Sequence, residues 1–178
     1  MMERWEFWRG RVWSPDLVRQ SPIAWQACAI VALALAVRLA LLPLASHETL
    51  DQAARVFIAW RWADDPFLLL HGIWPPLHFL LLGTVLRLFP DPIMAPVWLH
   101  LLLGCATPAV VYLFTHRLFG SPRAALAVGV AFALYPIAIR DSLSVLAQTP
   151  FVLLVALSML ALVNARGRTG DWCTGPQF

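Results

Sequence analysis

The chain alternates between long runs without charge and short polar segments. Five runs contain no Asp, Glu, Lys or Arg: residues 23–37, 66–86, 92–116, 124–139 and 142–165. A helix that crosses a bilayer needs about 20 predominantly apolar residues, and each run reaches or approaches that length. The pattern therefore predicts an all-α integral membrane protein with about five transmembrane helices, the first over residues 23–45.

The longest polar connection, residues 46–75, follows the first predicted helix and forms the first outer loop. Thr49 and Gln52 have the spacing of a capping box, in which each side chain bonds the other residue's backbone N–H group. The residues that follow place apolar side chains on one helical face: Ala53, Val56, Phe57 and Trp60. We expect a short amphipathic helix that lies in the membrane interface.

Composition supports a membrane protein and argues against nucleic acid as a partner. The chain is 60% hydrophobic and 13% charged, whereas soluble domains are about 45–50% apolar and about 25% charged. These values exclude a soluble enzyme, and the 13 basic residues, all arginine, are too scattered for a nucleic-acid-binding surface. The three cysteines and the loop histidines show neither a disulfide framework nor metal-ligand spacing.

The distribution of arginines gives a first view of orientation. Four arginines lie among tryptophans in residues 1–22, which predicts a cytoplasmic N-terminal segment. A membrane region over residues 23–164 and a polar tail over residues 165–178 would follow. We expect the segment after Pro75 and Pro76, which is short and ends near Phe89, to make a true crossing. The turn over residues 117–123 would then face outside, against the usual preference of arginine for the cytoplasm. A re-entrant segment, and therefore four spans, is the alternative.

Three short motifs resemble a known family in their order and spacing. The outer loop reads Asp-Gln-Ala-Ala-Arg-Val-Phe-Ile-Ala over residues 51–59, the next apolar run contains Trp-Pro-Pro-Leu-His at 74–78, and a turn reads Arg-Leu-Phe-Gly at 117–120. This order is similar to the N-terminal part of GT-C glycosyltransferases. The nearest resemblance is to protein O-mannosyltransferase-like enzymes (glycosyltransferase family 39) and the bacterial lipid A aminoarabinose transferase, over residues 23–172.

The resemblance implies a function and a set of site residues. Such enzymes transfer a sugar from a polyprenyl-phosphate donor to an acceptor hydroxyl at the outer face of the bacterial inner membrane. Asp51 would be the general base that takes the hydroxyl proton, and Arg55, Glu48 and Arg38 would bind substrate. No cofactor motif is evident, and a divalent cation held by Glu48 is the one cofactor that the loop acids could support.

Each of these residues also has a plain structural interpretation. An acid such as Asp51 in the first turn of a helix is favoured by the helix dipole alone. Arg55 could contact lipid headgroups, and Arg38 could extend its side chain to the interface. A shifted register would instead align His47 and Glu48 with the family's Asp-Glu pair.

The chain departs from the family in two ways that keep other functions open. Gln52 replaces the family's Glu, and Arg55 stands where an aromatic residue is common. Family members are also several hundred residues long, so we expect this chain to be an N-terminal fragment that transfers no sugar on its own. A non-catalytic polytopic membrane protein, such as a transporter half or an assembly subunit, and a non-functional gene fragment are the alternatives.

Overall fold

A computed structural model describes residues 15–45, 50–65 and 76–169 of the chain. Within these residues every regular element is a helix. In chain order they are α1 (Pro15–Leu41, extended by a 3₁₀ turn over Leu42–Leu44), α2 (Leu50–Asp64), α3 (Pro76–Leu88), α4 (Met94–Phe119), α5 (Pro122–Ala133), α6 (Pro136–Leu143) and α7 (Gln148–Thr169). The structure therefore confirms the all-α membrane fold.

Three helical segments are long and apolar enough to cross a bilayer: Pro22–Leu44, Met94–Phe119 and Gln148–Ala165. Helices α5 and α6, bent by 49° at the break between them, together form a fourth candidate. The 13 residues of α3 reach only about 20 Å at 1.5 Å per residue, short of a hydrocarbon core of about 30 Å. The described residues thus give three or four crossings rather than five.

Helices α1 and α4 are antiparallel. The Tyr112 hydroxyl donates to Gln26 Oε1 at 2.6 Å near one end of the pair. Near the other end, a Cβ atom on Gly104 would lie 3.1 Å from Arg38 Nε. Helix α4 therefore begins on the side of the membrane where α1 ends. We call this the α2 side, because the groove described next places α2 there as well.

The antiparallel pair bears on whether the segment between α1 and α4 crosses the membrane. Helix α2 shares a groove with residues at the start of α4, such as Pro96 and Val97, so it lies on the α2 side. The described residues do not support the predicted crossing after Pro75 and Pro76, because α3 has only 13 residues and the groove places α2 beside the start of α4.

The turn after α4 consequently lies on the side opposite to α2. Gly120 ends α4 in the left-handed conformation, with φ of 65°, and the Ser121 hydroxyl caps α5 by accepting from the Ala124 backbone N–H group. Arg117 and Arg123 flank this turn, on the side where α1 begins. This placement removes the conflict with the preference of arginine for the cytoplasm.

The first helix begins earlier than its sequence pattern predicts. Helix α1 starts at Pro15 and contains Pro22, which we expected to precede it. A proline inside a membrane helix is tolerated because neighbouring groups satisfy the freed carbonyl. The cytoplasmic placement of residues 1–22 stays a prediction, since residues 1–14 lie outside the described part of the chain.

Helix α4 is the structural centre, since it contacts α1, α3, α5, α6 and α7. Two glycines allow this close packing, as small residues do in membrane bundles. A Cβ atom on Gly129 of α5 would lie 2.8 Å from Ile30 Cδ1 and 2.9 Å from Tyr112 Cβ. Helix α7 instead leaves large apolar side chains exposed, among them Phe151 and Leu154, as expected for a lipid-facing surface.

The antiparallel arrangement predicts the outcome of cysteine labelling. Cysteines would be introduced singly as Pro90→Cys and Ser121→Cys, after the native cysteines are replaced. We expect an impermeant thiol reagent to label position 90 on intact cells and position 121 only after lysis. Labelling of both positions from the same side would contradict the α1–α4 topology.

Candidate functional site

The acid predicted as the catalytic base forms an ion pair in the first turns of α2. Asp51 Oδ2 lies 2.7 Å from Arg55 Nη2, and the side chains are 47% and 10% exposed respectively. The spacing of four residues brings the two groups together on one face of the helix. The pair therefore fixes a half-exposed carboxylate on a nearly buried guanidinium.

The burial of α2 is the reverse of the amphipathic pattern in its sequence. Gln52, Arg55 and Ala59 face inward and are buried, while Phe57 is 63% exposed. The predicted apolar stripe instead lines a groove of about 520 Å³ together with residues at the start of α4. In a bilayer this inversion is favourable, because apolar side chains can face lipid while polar ones meet inside the protein.

Gln52 lies at the polar end of this groove. Its side chain is buried, and its Oε1 atom has no hydrogen-bond partner among the described residues. Thr49, the other half of the predicted capping box, lies outside those residues. The structure therefore places Gln52 as a lining residue of the groove and leaves the capping box a prediction.

Two histidines from different helices meet beside Arg55. The rings of His78 in α3 and His100 in α4 are buried and stack edge to face, with centroids 5.2 Å apart. Arg55 interacts electrostatically with both rings. His100 Nδ1 donates to the Pro96 carbonyl oxygen at 2.9 Å, since a carbonyl can only accept. The described residues contain no cluster of three or more metal-ligating side chains.

Arg38 does not extend to the membrane surface but is fully buried in the bundle. Its Nε atom donates to Ser142 Oγ at 2.9 Å. Its Nη1 atom donates to the carbonyl oxygens of Ala34 and Ala133 at 3.2 and 3.4 Å. The Ser142 hydroxyl donates in turn to the Ile139 carbonyl oxygen at 2.7 Å. This network joins α1 to α5 and α6, so the interpretation of Arg38 as a residue that reaches the interface is wrong.

The Arg38 network and the histidine pair share one face of α4. His100 and Gly104 are four residues apart, so they lie on the same side of the helix, about 6 Å apart along its axis. His100 contacts His78, and Gly104 packs against Arg38 and Ser142. The structure thus brings the two predicted substrate-binding arginines to neighbouring turns of α4.

Sequence reasoning named some residues of this cluster and missed others. Asp51, Arg55 and Arg38 were identified from the sequence, and Glu48 lies outside the described residues. His100, Gly104 and Ser142 were missed, because each acts through a contact between helices far apart in the chain. The sequence signal that could have identified them is a polar or small residue inside an apolar run.

The sequence matches the model of a known protein family. The model of dolichyl-phosphate-mannose-protein mannosyltransferases matches residues 74–174, more than half of the 178-residue chain. The chain belongs to this family. It is therefore a membrane glycosyltransferase-family protein of the GT-C type, as the resemblance in its sequence implied. No curated protein and no solved structure matches the chain significantly.

The matched residues of this mannosyltransferase-family chain include α3 to α7, with the histidine pair and the Ser142 network. Helix α2 precedes the matched region. The assignment of Asp51 and Arg55 therefore depends on the motif over residues 51–59 and on the ion pair, and not on the family match.

The close packing at Gly104 predicts the effect of adding one methyl group. A Cβ atom there would lie 2.5 Å from Ser142 Cβ, so Gly104→Ala must displace the Arg38 network. Overpacking of this kind typically costs about 1–3 kcal/mol. We expect a lower thermal unfolding temperature in detergent. An unchanged unfolding temperature for Gly104→Ala would contradict the contact.

Proposed function

We propose that this chain acts in glycosyl transfer from a polyprenyl-phosphate sugar to an acceptor hydroxyl, with Asp51 as general base. The observation that carries the proposal is the Asp51–Arg55 pair, in which a half-exposed carboxylate is held by a nearly buried guanidinium. Family membership supplies the reaction class, and the dolichyl-phosphate mannose in the family's description supports a lipid-linked donor.

The proposed reaction assigns a task to each charged group. The acceptor oxygen attacks the anomeric carbon and its proton passes to the Asp51 carboxylate, while the bond from that carbon to the phosphate oxygen breaks. A general base of this kind must lie within hydrogen-bond reach of the hydroxyl. The lipid phosphate leaves with increased negative charge, which the nearby cation Arg55 stabilises.

Two further residues complete the proposal. Arg38 of α1 binds substrate beside Gly104, one turn of α4 beyond His100, where its buried charge acts in a medium of low dielectric constant. Glu48, three residues before Asp51, is proposed as the second acid, which tunes Asp51 or holds a divalent cation. Its position lies outside the described residues, so its role depends on sequence alone.

The proposed location follows from charge and topology. The turn that carries Arg117 and Arg123 lies on the side opposite to α2, as does the start of α1. Arginines favour the cytoplasmic side, so the α2 side would be the outer face of a bacterial inner membrane. A lipid-linked donor in that leaflet would meet Asp51 directly.

The base role predicts a large loss of turnover in Asp51→Asn. Hydrolysis of farnesyl-phosphate mannose, with water as the acceptor, can be followed in nanodiscs without knowledge of the natural acceptor, in the chain fused to the later membrane helices of a family member. We expect Asp51→Asn to lower kcat by about 10²- to 10⁴-fold while donor affinity changes little, because the amide keeps the size of the side chain.

Asp91→Asn is the matched control. Asp91 is an exposed acid on the same side, where backbone N–H groups of Met94 and Ile93 hold the pKa of its carboxyl below the usual value. Asn can serve the same capping role, so we expect normal turnover. Full turnover in Asp51→Asn would contradict the base assignment, and a wild-type fusion that neither binds nor hydrolyses the donor would contradict the proposed function.

A further inference from the structure

A second, smaller cavity lies beside Arg38, separate from the groove of α2. Its volume is about 170 Å³, and its walls come from five helices and the α5–α6 connection: Arg38, Gly104, Thr107, Phe132, Tyr135, Ile137, Ala138, Asp141, Gln148, Thr149 and Val152. A cavity of about 150 Å³ is known to hold a benzene ring. This cavity therefore has room for one six-membered ring.

Two buried polar groups in its walls lack partners. Arg38 Nη2 and Thr149 Oγ1 are buried, with no hydrogen-bond partner among the described residues. Both residues line the cavity, and they are 0% and 7% exposed. A buried polar group left unsatisfied costs about 1–3 kcal/mol. Such groups indicate a polar ligand that supplies the missing bonds.

The charges around the cavity favour a neutral ligand. Besides the Arg38 guanidinium, the wall contains the Asp141 carboxylate, which is 15% exposed and pairs with the exposed Arg140 at 3.3 Å. A carboxylate disfavours an anion such as phosphate in the same space. A sugar hydroxyl both donates and accepts, so it can bond to a guanidinium, a carboxylate and a threonine hydroxyl alike.

The remaining walls suit the apolar face of a sugar ring. Phe132 and Tyr135 both line the cavity, with ring centroids 6.4 Å apart. Aromatic rings offer flat apolar surfaces against which the C–H groups of a pyranose can pack. Polar atoms and aromatic surface are therefore present in one ring-sized space.

We infer that this cavity binds the neutral hexose ring of the donor, with Arg38, Asp141 and Thr149 as the residues that recognise its hydroxyls. The inference rests on the proposed function and adds the place where the protein recognises the sugar. The cavity lies one turn of α4 from the Arg55 cluster, so the ring and the lipid phosphate can be held at the same time.

The test compares binding of two lipids to the full chain in nanodiscs: farnesyl phosphate alone, and farnesyl phosphate carrying mannose or glucose. We expect tighter binding of at least one sugar-bearing lipid. Thr149→Val keeps the shape of the side chain but removes the hydroxyl, so it should reduce that preference roughly three- to tenfold. Affinity for farnesyl phosphate alone should not change.

Two control variants separate recognition from folding. Thr149→Ser retains the hydroxyl and should retain the sugar preference. Ser158→Ala removes a hydroxyl on the same helix that is exposed and bonds only the Leu154 carbonyl oxygen among the described residues, so it should behave as wild type. Thermal unfolding of each variant shows whether the bundle is intact.

The outcomes distinguish the two proposals. Equal affinity of the wild-type chain for lipids with and without a sugar would overturn the sugar cavity alone. An equal loss of both lipids in Thr149→Val would also overturn it, since the hydroxyl would then act on the fold. Failure of every lipid phosphate to bind would overturn the proposed function together with the cavity.

Discussion

A guanidinium group inside an apolar helical bundle must obtain its hydrogen-bond acceptors from neighbouring helices, because desolvation of an ion costs several kcal/mol. Arg38 meets most of this constraint by donating to the Ser142 hydroxyl of α6 and to the carbonyl oxygens of Ala133 in α5 and Ala34 in its own helix, while its Nη2 atom has no partner among the described residues. The network holds α1 against α5 and α6. It also requires a glycine at position 104, where a side chain would occupy the same space.

The same constraint explains why several buried polar groups meet on the α2 side. Helix α2 turns its apolar stripe toward the groove and its polar residues inward, so Arg55 meets the histidine pair rather than lipid. Transporters tend to place such groups near the bilayer midplane. Here the polar cluster follows the half of α4 nearest to α2, as suits the proposed reaction near one membrane surface.

The sequence alone predicted those features that depend on local pattern. The all-α membrane class, the helix over Leu50–Asp64 and the four-residue spacing of Asp51 and Arg55 all follow from composition and periodicity. The bounds and short length of α3 were close to the sequence prediction of about residues 76–89. The predicted crossing is nevertheless not supported, because an apolar run does not reveal on which side of the membrane its flanking helices lie.

Long-range contacts account for the rest of what the sequence could not predict. The partners His78 and His100, and Arg38 and Ser142, are separated by 22 and 104 residues respectively, and no spacing rule connects them. The sequence pattern also could not predict which face of α2 packs against the protein. Its stripe specifies an apolar face but not whether protein or lipid covers that face.

The most direct test of the account is to locate the lipid phosphate on the chain. A polyprenyl phosphate with a diazirine next to the phosphate can be photo-crosslinked in nanodiscs, and the adducts mapped by mass spectrometry. The account predicts adducts on α2 and on the first turns of α4, where Asp51, Arg55 and the groove lie. Adducts confined to the lipid-facing surface of α7 would contradict it.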